Sequence, residues 1–367
     1  MTVTTEEALV GTIVGRSPRE SPEPGALIGY PHYLGLELEL SDASNLSLSM
    51  PPEGHYWWVA ESDGSIRGAS PMELKFTRNQ RGQHGLSPSE VEAALAQLVN
   101  LEKTEVNDTC GVHVHVDVRD LTVPQLNNVI GLYLVVERSL YRYCGADRTN
   151  NNFCVPLHKA LGGVAGVWHR GVAEFRDELR YGGLNLHAVR RFGTLEFRMH
   201  QGSNDINKIV DWMNICAAIK ENGKDFEGPK AAYQKILGGP EVFMTDIFGS
   251  KAPLLMHGTL QLDLERGLAD SKDMMLWTDV HFAQQKIRSR RSRKKEGTLW
   301  AQWAENCGVP IMQQPHRVVG LDELGALRAG RLANIAASAP ITFVGASPPS
   351  MFFDELMNDS DHHDLDF

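Results

Sequence analysis

The sequence predicts an α+β fold, an antiparallel sheet flanked by helices, and three observations carry that prediction. First, residues from about 30 to 223 alternate between strand-like and helix-like segments. Second, the strand-like stretches Glu37-Leu38-Glu39, His113-Val114-His115-Val116-Asp117 and Glu196-Phe197-Arg198 have a period of two. Side chains two apart on a strand share a face, so each stretch turns its polar groups one way and its apolar groups the other, the pattern of a short antiparallel strand. Third, two helix starts are written out: Ser87-Pro88-Ser89-Glu90 and Thr122-Val123-Pro124-Gln125 each join an N-cap, an early proline and a Glu or Gln three residues on.

In chain order, residues 1–29, rich in Thr, Ser, Glu and Pro, read as a disordered or extended N-terminus. Strands are expected at 33–40, 55–61, 73–77, 110–118, 181–187 and 194–200, with Asp63-Gly64-Ser65 as a tight turn. Helices are expected from Ser87 to about Leu101, from Thr122 to Cys144 before Gly145, and from Asp205 to Lys220. Residues 30–223 then form the catalytic core. Beyond them, periodic segments at 273–287, 297–305 and 321–337 make 224–337 a helical accessory region, and 338–367 a loop and acidic tail.

Composition narrows the class. The 367 residues are 42% hydrophobic, enough for a large core. Nothing approaches the roughly 20 apolar residues of a membrane span, and no secretory signal is visible. Five cysteines without paired spacing read as reduced thiols, so a cytoplasmic location is expected. Cys110 lacks a base outside the metal-type residues and reads as packing. The net charge of −10 is concentrated at the C-terminus in Asp354, Glu355, Asp359, Asp361, Asp364 and Asp366. Against it stands a basic run at 286–295 with Arg288, Arg290, Arg291, Arg293, Lys294 and Lys295. That run suits phosphate or a solvated face; nucleic acid is not favoured, because no aromatics interleave.

The polar strand faces carry the chemistry. Glu37 and Glu39 share one face, and two such carboxylates repel unless a cation lies beside them; an exposed acidic edge would look the same. His113, His115 and Asp117 form either one face of a metal site or a hydrogen-bonded edge. Glu196 and Arg198 make a same-face ion pair, and Glu73 with Lys75 either a site pair or a surface pair. Together they have the inventory of a divalent-metal and polyphosphate site.

The order Gly35-Leu36-Glu37-Leu38-Glu39, Asp63-Gly64-Ser65, Glu73, Cys110-Gly111-Val112-His113-Val114-His115-Val116, Arg180-Tyr181 with Leu184-Asn185-Leu186, and Thr194-Leu195-Glu196-Phe197-Arg198 resembles the amidoligase family. That family belongs to the carboxylate-amine ligases related to glutamine synthetase and glutamate-cysteine ligase. The resemblance covers about 33–220. It implies a curved, glutamine synthetase-like half-barrel sheet whose carboxylates hold two or three magnesium or manganese ions on the phosphates of ATP. It also implies a carboxylate substrate phosphorylated by ATP and an amine that attacks the acyl phosphate. Carried over, Glu37 and Glu39 bind different ions, Glu73 and Glu196 are further ligands, and His113 or His115 contacts metal or nucleotide phosphate. Arg198 clamps phosphate, Arg180 and Asn185 face substrate or phosphate, and Tyr181 is structural. The segment that should bring the amine is unrecognisable, so both substrates, whether small molecules, peptides or carrier-borne, stay open, as does an oligomer.

Two rivals stand beside this reading. A metal-dependent hydrolase would activate water with His113, His115 and Asp117. A nucleic-acid-binding or scaffold protein would use the basic run instead.

Overall fold

The period-two stretches become neighbouring strands of one sheet. The computed structural model describes residues 8–49, 55–76, 85–159, 172 and 180–289. Its strands are β1 (Leu34–Leu40), β2 (Ser47–Leu48), β3 (Trp58–Glu61), β4 (Met72–Phe76), β5 (Leu98–Val99), β6 (Gly111–Asp117), β7 (Leu184–Asn185) and β8 (Thr194–Gln201). Six form an antiparallel sheet in the order β3-β4-β1-β6-β8-β7, and β2 pairs with β5 separately. The sheet is curved but not closed into a barrel.

Register decides what the sheet offers. Glu37 lies opposite Lys75 on β4 and His113 on β6, Glu39 opposite Glu73, and His115 opposite Glu196, which faces Asn185. The alternate residues Leu34, Leu36, Leu38, Leu40, Val112, Val114, Val116 and Phe197 are fully buried on the other face. That face packs on helices α3 (Val123–Cys144) and α5 (Ile206–Gly223), where Phe197 meets Tyr133 at 6.0 Å and Trp212 at 6.2 Å between ring centroids. At roughly 1.5–3 kcal/mol for each fully buried side chain, this face is the main hold on the sheet.

Helix α1 (Val10–Ile13) lies in the N-terminal segment read as disordered or extended. That segment packs on the core from residue 8: Val10 and Ile28 are fully buried, and the Val10 amide donates to the Leu121 carbonyl at 2.8 Å. Helix α2 (Pro88–Ala96) starts from its capping box, the Glu90 carboxylate accepting from the Ser87 amide at 2.8 Å. It stops short of Leu101, because the Gln97 side chain is diverted to the Trp57 amide and the His55 carbonyl and the next residues pair as β5. Of the strand expected at 181–187 only Leu184–Asn185 forms. The Asn185 side chain accepts from the His187 amide at 2.9 Å, an Asx-type turn that ends the strand and opens α4 (His187–Phe192).

Beyond residue 223 come α6 (Pro229–Gly238), α7 (Pro240–Phe248), α8 (Ala252–Leu255) and α9 (Leu260–Ser289). Helix α9 starts well before the expected 273 and lies against α3. Arg138 pairs there with Asp270, and Arg142 with Asp263 at 2.5 Å. The backbones approach closely at Gly267, where a Cβ would meet the Val135 carbonyl oxygen at 2.1 Å. Among the described residues no helix is long and apolar enough to cross a membrane. The helices expected at 297–305 and 321–337 and the acidic tail lie outside the described residues, as do the side chains of the basic run at 286–295.

Candidate functional site

Five strands deliver one cluster to the polar face. From β1 come Glu37 and Glu39, from β4 Glu73 and Lys75, from β6 His113 and His115, from β8 Glu196 and Arg198, and from β7 Asn185. His113 stands at the centre. Its Nδ1 is 3.0 Å from Glu37 Oε2 and 3.9 Å from Glu196 Oε1, and its Nε2 is 3.8 Å from Glu39 Oε1. His115 Nε2 lies 3.5 Å from Glu37 Oε1 and 3.9 Å from Glu196 Oε2. Two sets of ligand atoms each fall within 4.8 Å of one another, Glu37–His113–Glu196 and Glu39–Glu73–His113, and all five residues are buried.

The cluster is short of positive charge. Lys75 Nζ sits 2.9 Å from Glu73 and 3.1 Å from Glu61, and Arg198 pairs with Glu196. Five carboxylates therefore share two permanent cations. Burial pushes Glu37 up, but hydrogen bonds from His113 and His115 outweigh it and hold the carboxyl well below its usual range. Burial likewise raises Glu196, and the Arg198 charge overrides it to leave that carboxyl low. Glu39 goes the other way, with burial prevailing over the attraction of His113 and Arg198. Glu73 is pushed up to about 8 by burial and the Glu37 charge, against the pull of Lys75. Of the four buried carboxylates, two are held low and two are pushed up, an imbalance that a divalent cation would redress.

Supporting groups orient these side chains. Asn185 Nδ2 donates to Glu196, and His115 Nδ1 contacts Thr194 Oγ1 at 2.9 Å, so the Nε2 edge of His115 is turned to the carboxylates. Arg198 stands where the β6–β8 register shifts between Val112 and Val114, a bulge that ends the simple alternation of β8. Buried Arg148 donates to the carbonyls of Arg198 and Met199, both at 3.0 Å, and Cys110 at 3.5 Å, pinning both strands at that shift. No motif flagged Arg148; its role is legible only from topology.

The site residues named from the sequence largely converge: Glu37, Glu39, Glu73, His113, His115, Asn185, Glu196 and Arg198 share this face. Arg180 does not join them in the same way. It is exposed, with its guanidinium 5.5 Å from the centre of the Tyr181 ring. Asp117 is engaged elsewhere: it accepts from the Arg119 amide at 2.9 Å and from its guanidinium, capping the strand end. Asp63 forms the expected turn, accepting from the Ser65 amide at 2.6 Å. Cys110 is buried, and burial raises its thiol, in keeping with packing. Lys75, open to a surface-pair reading, belongs to the site.

Over residues 73–162 the chain matches the family model described as "Putative amidoligase enzyme". The match spans β4 through α3 and takes in Glu73, His113 and His115; Glu37 and Glu39 lie before it, and Glu196 and Arg198 after it. The matched stretch is about a quarter of the chain, and over it the protein is similar to the amidoligase model. No curated protein matches the chain.

Proposed function

From an amidoligase-type segment seated in the middle of this face, we propose that the protein is a carboxylate-amine ligase, dependent on ATP and on magnesium or manganese, that forms amides through an acyl phosphate. The observation that carries the proposal is the pair of three-residue ligand sets that share His113 and whose four carboxylates outnumber their two cations. Carboxylate oxygens with one imidazole suit hard divalent ions and offer none of the thiolates of a structural zinc site. Glu37, His113 and Glu196 would hold one ion, and Glu39 with Glu73 another. Bound there, the ions supply neutralisation of charge on the transferring phosphoryl group.

The chain's own residues do the rest. Arg198 presents a fixed guanidinium to phosphate at one end of the row, and Lys75 an ammonium at the other. Asn185 and Thr194 hold Glu196 and His115 in orientation. A substrate carboxylate oxygen takes the γ-phosphoryl group and ADP leaves; the amine then attacks the acyl carbon and phosphate departs. Burial of the cluster keeps water from the acyl phosphate. The hydrolase alternative is disfavoured by Asp117, whose carboxylate is committed to Arg119.

Hydroxylamine trapping tests the proposal. Protein, Mg-ATP and pooled carboxylic acids with hydroxylamine should yield ADP and hydroxamate together, and the Glu37→Ala/Glu39→Ala variant neither. ADP without hydroxamate would indicate hydrolysis and sink the ligase reading.

A further inference from the structure

Beside Arg198 the protein displays an aromatic surface that its core does not need. Phe153 is 41% exposed, and among the described residues no other phenylalanine is classed as exposed. Its ring centroid lies 6.0 Å from that of Tyr181, at 59°. The neighbouring Arg180 is exposed and places its guanidinium 5.5 Å from the centre of the Tyr181 ring. Exposing a ring forgoes a large burial gain, and a single exposed ring proves nothing by itself.

This one, however, is held in place. The Phe153 amide donates to Asn151 Oδ1 at 2.7 Å, and Tyr141 donates its hydroxyl proton to the Cys154 carbonyl. The backbone at 153–155 is laced to the sheet: the Val155 amide donates to the Tyr181 carbonyl, the Gly183 amide to the Val155 carbonyl and the Arg198 amide to the Gly183 carbonyl, each at 2.8 Å. The Arg198 side chain closes the link, its Nε donating to the Phe153 carbonyl at 3.3 Å. The backbone that carries the Phe153 ring is therefore coupled directly to the arginine that faces the carboxylate cluster.

We propose that Phe153, backed by Tyr181 and Arg180, is the stacking platform for the base of the nucleotide whose phosphates Arg198 holds. The assignment rests on the nucleotide reading above. A flat, electron-rich ring and a neighbouring guanidinium suit a heteroaromatic base, and such stacking tolerates any base because each has a π-face. Arg180 then acts at the base end of the site.

Two probes separate base from phosphate: ATP and inorganic tripolyphosphate, each titrated calorimetrically with manganese. In Phe153→Ala, ATP affinity should fall roughly five- to a hundredfold, with tripolyphosphate affinity unchanged. Phe153→Trp should restore ATP binding. Unchanged ATP affinity in Phe153→Ala would overturn the platform. So would an equal loss for both probes, which would mean that Phe153 acts only through the aim of Arg198. If the unsubstituted protein bound neither probe, the nucleotide reading itself would fall.

Discussion

Among the described residues glutamates are buried in two settings, and the fold treats them in opposite ways. Glu137, inside helix α3, is 0% exposed and fully partnered. It accepts from the Tyr133 hydroxyl at 2.9 Å, from the amides of Leu157 at 2.5 Å and His158 at 3.0 Å, and pairs with His158 Nδ1 at 2.6 Å. On the sheet, Glu37, Glu39, Glu73 and Glu196 are nearly as buried but share two histidines, one lysine and one arginine. The first arrangement closes a loop onto a helix. The second leaves carboxylates in mutual repulsion, a cost that stability alone would not retain and that a bound cation relieves.

The contrast can be broken most forcefully at Glu137. Glu137→Ala strands two amides and a hydroxyl in the interior and should destabilise the protein by about 3–5 kcal/mol in urea unfolding. A loss below about 1 kcal/mol would show that the loop at 155–159 is held by something else.

The next largest effect is in pH. Glu73 is raised from an ordinary 4.5 to about 8, so the folded state binds its proton more tightly than the unfolded chain does. Its contribution is complete below about 4.5 and is lost as pH rises through 8. Metal-free protein should thus lose on the order of 1–3 kcal/mol between pH 5 and 8, and Glu73→Gln should flatten that slope. Manganese competes with the same proton, so its affinity should rise over the window. A flat stability profile for the unsubstituted protein would remove Glu73 from the repelling set.

Arg148 sharpens the picture at the bulge. Arg148→Met should weaken tripolyphosphate binding about tenfold by misaiming Arg198, leave manganese affinity near its original value, and be partly rescued by Arg148→Lys. Equal loss of both affinities would mean general collapse of the sheet edge. The smallest expected effect on stability is at Glu39, whose carboxyl burial raises. Glu39→Gln should stabilise metal-free protein by about 1 kcal/mol while lowering manganese affinity at least tenfold. Destabilisation would place Glu39 with Glu137 as a structural carboxylate.

Much of this face was legible in the sequence because a strand's period of two converts spacing into shared orientation, so Glu37 with Glu39 and Glu196 with Arg198 declared themselves. The capping boxes at Ser87 and Thr122 located α2 and α3 for the same reason, each being a local pattern. What was not legible depends on distant partners. Asp117 shares the face of His113 and His115 by spacing but is taken by Arg119; Gln97 ends α2 through His55 and Trp57; Asn185 turns an expected strand into a helix start. Arg148 and Glu137 belong to no motif, and their partners lie on other elements. The N-terminal segment has the composition of a solvated stretch, yet Val10 and Ile28 are fully buried and its backbone bonds to Leu121 and Arg119.

The most direct test of the central claim is calorimetric binding of ATP with magnesium or manganese, repeated with a chelator and with Glu37→Ala/Glu39→Ala. Metal-dependent binding that the chelator and the double substitution each abolish is the predicted result. ATP binding that survives both, or no ATP binding by the unsubstituted protein with either metal, would contradict the assignment of this face to metal and phosphate.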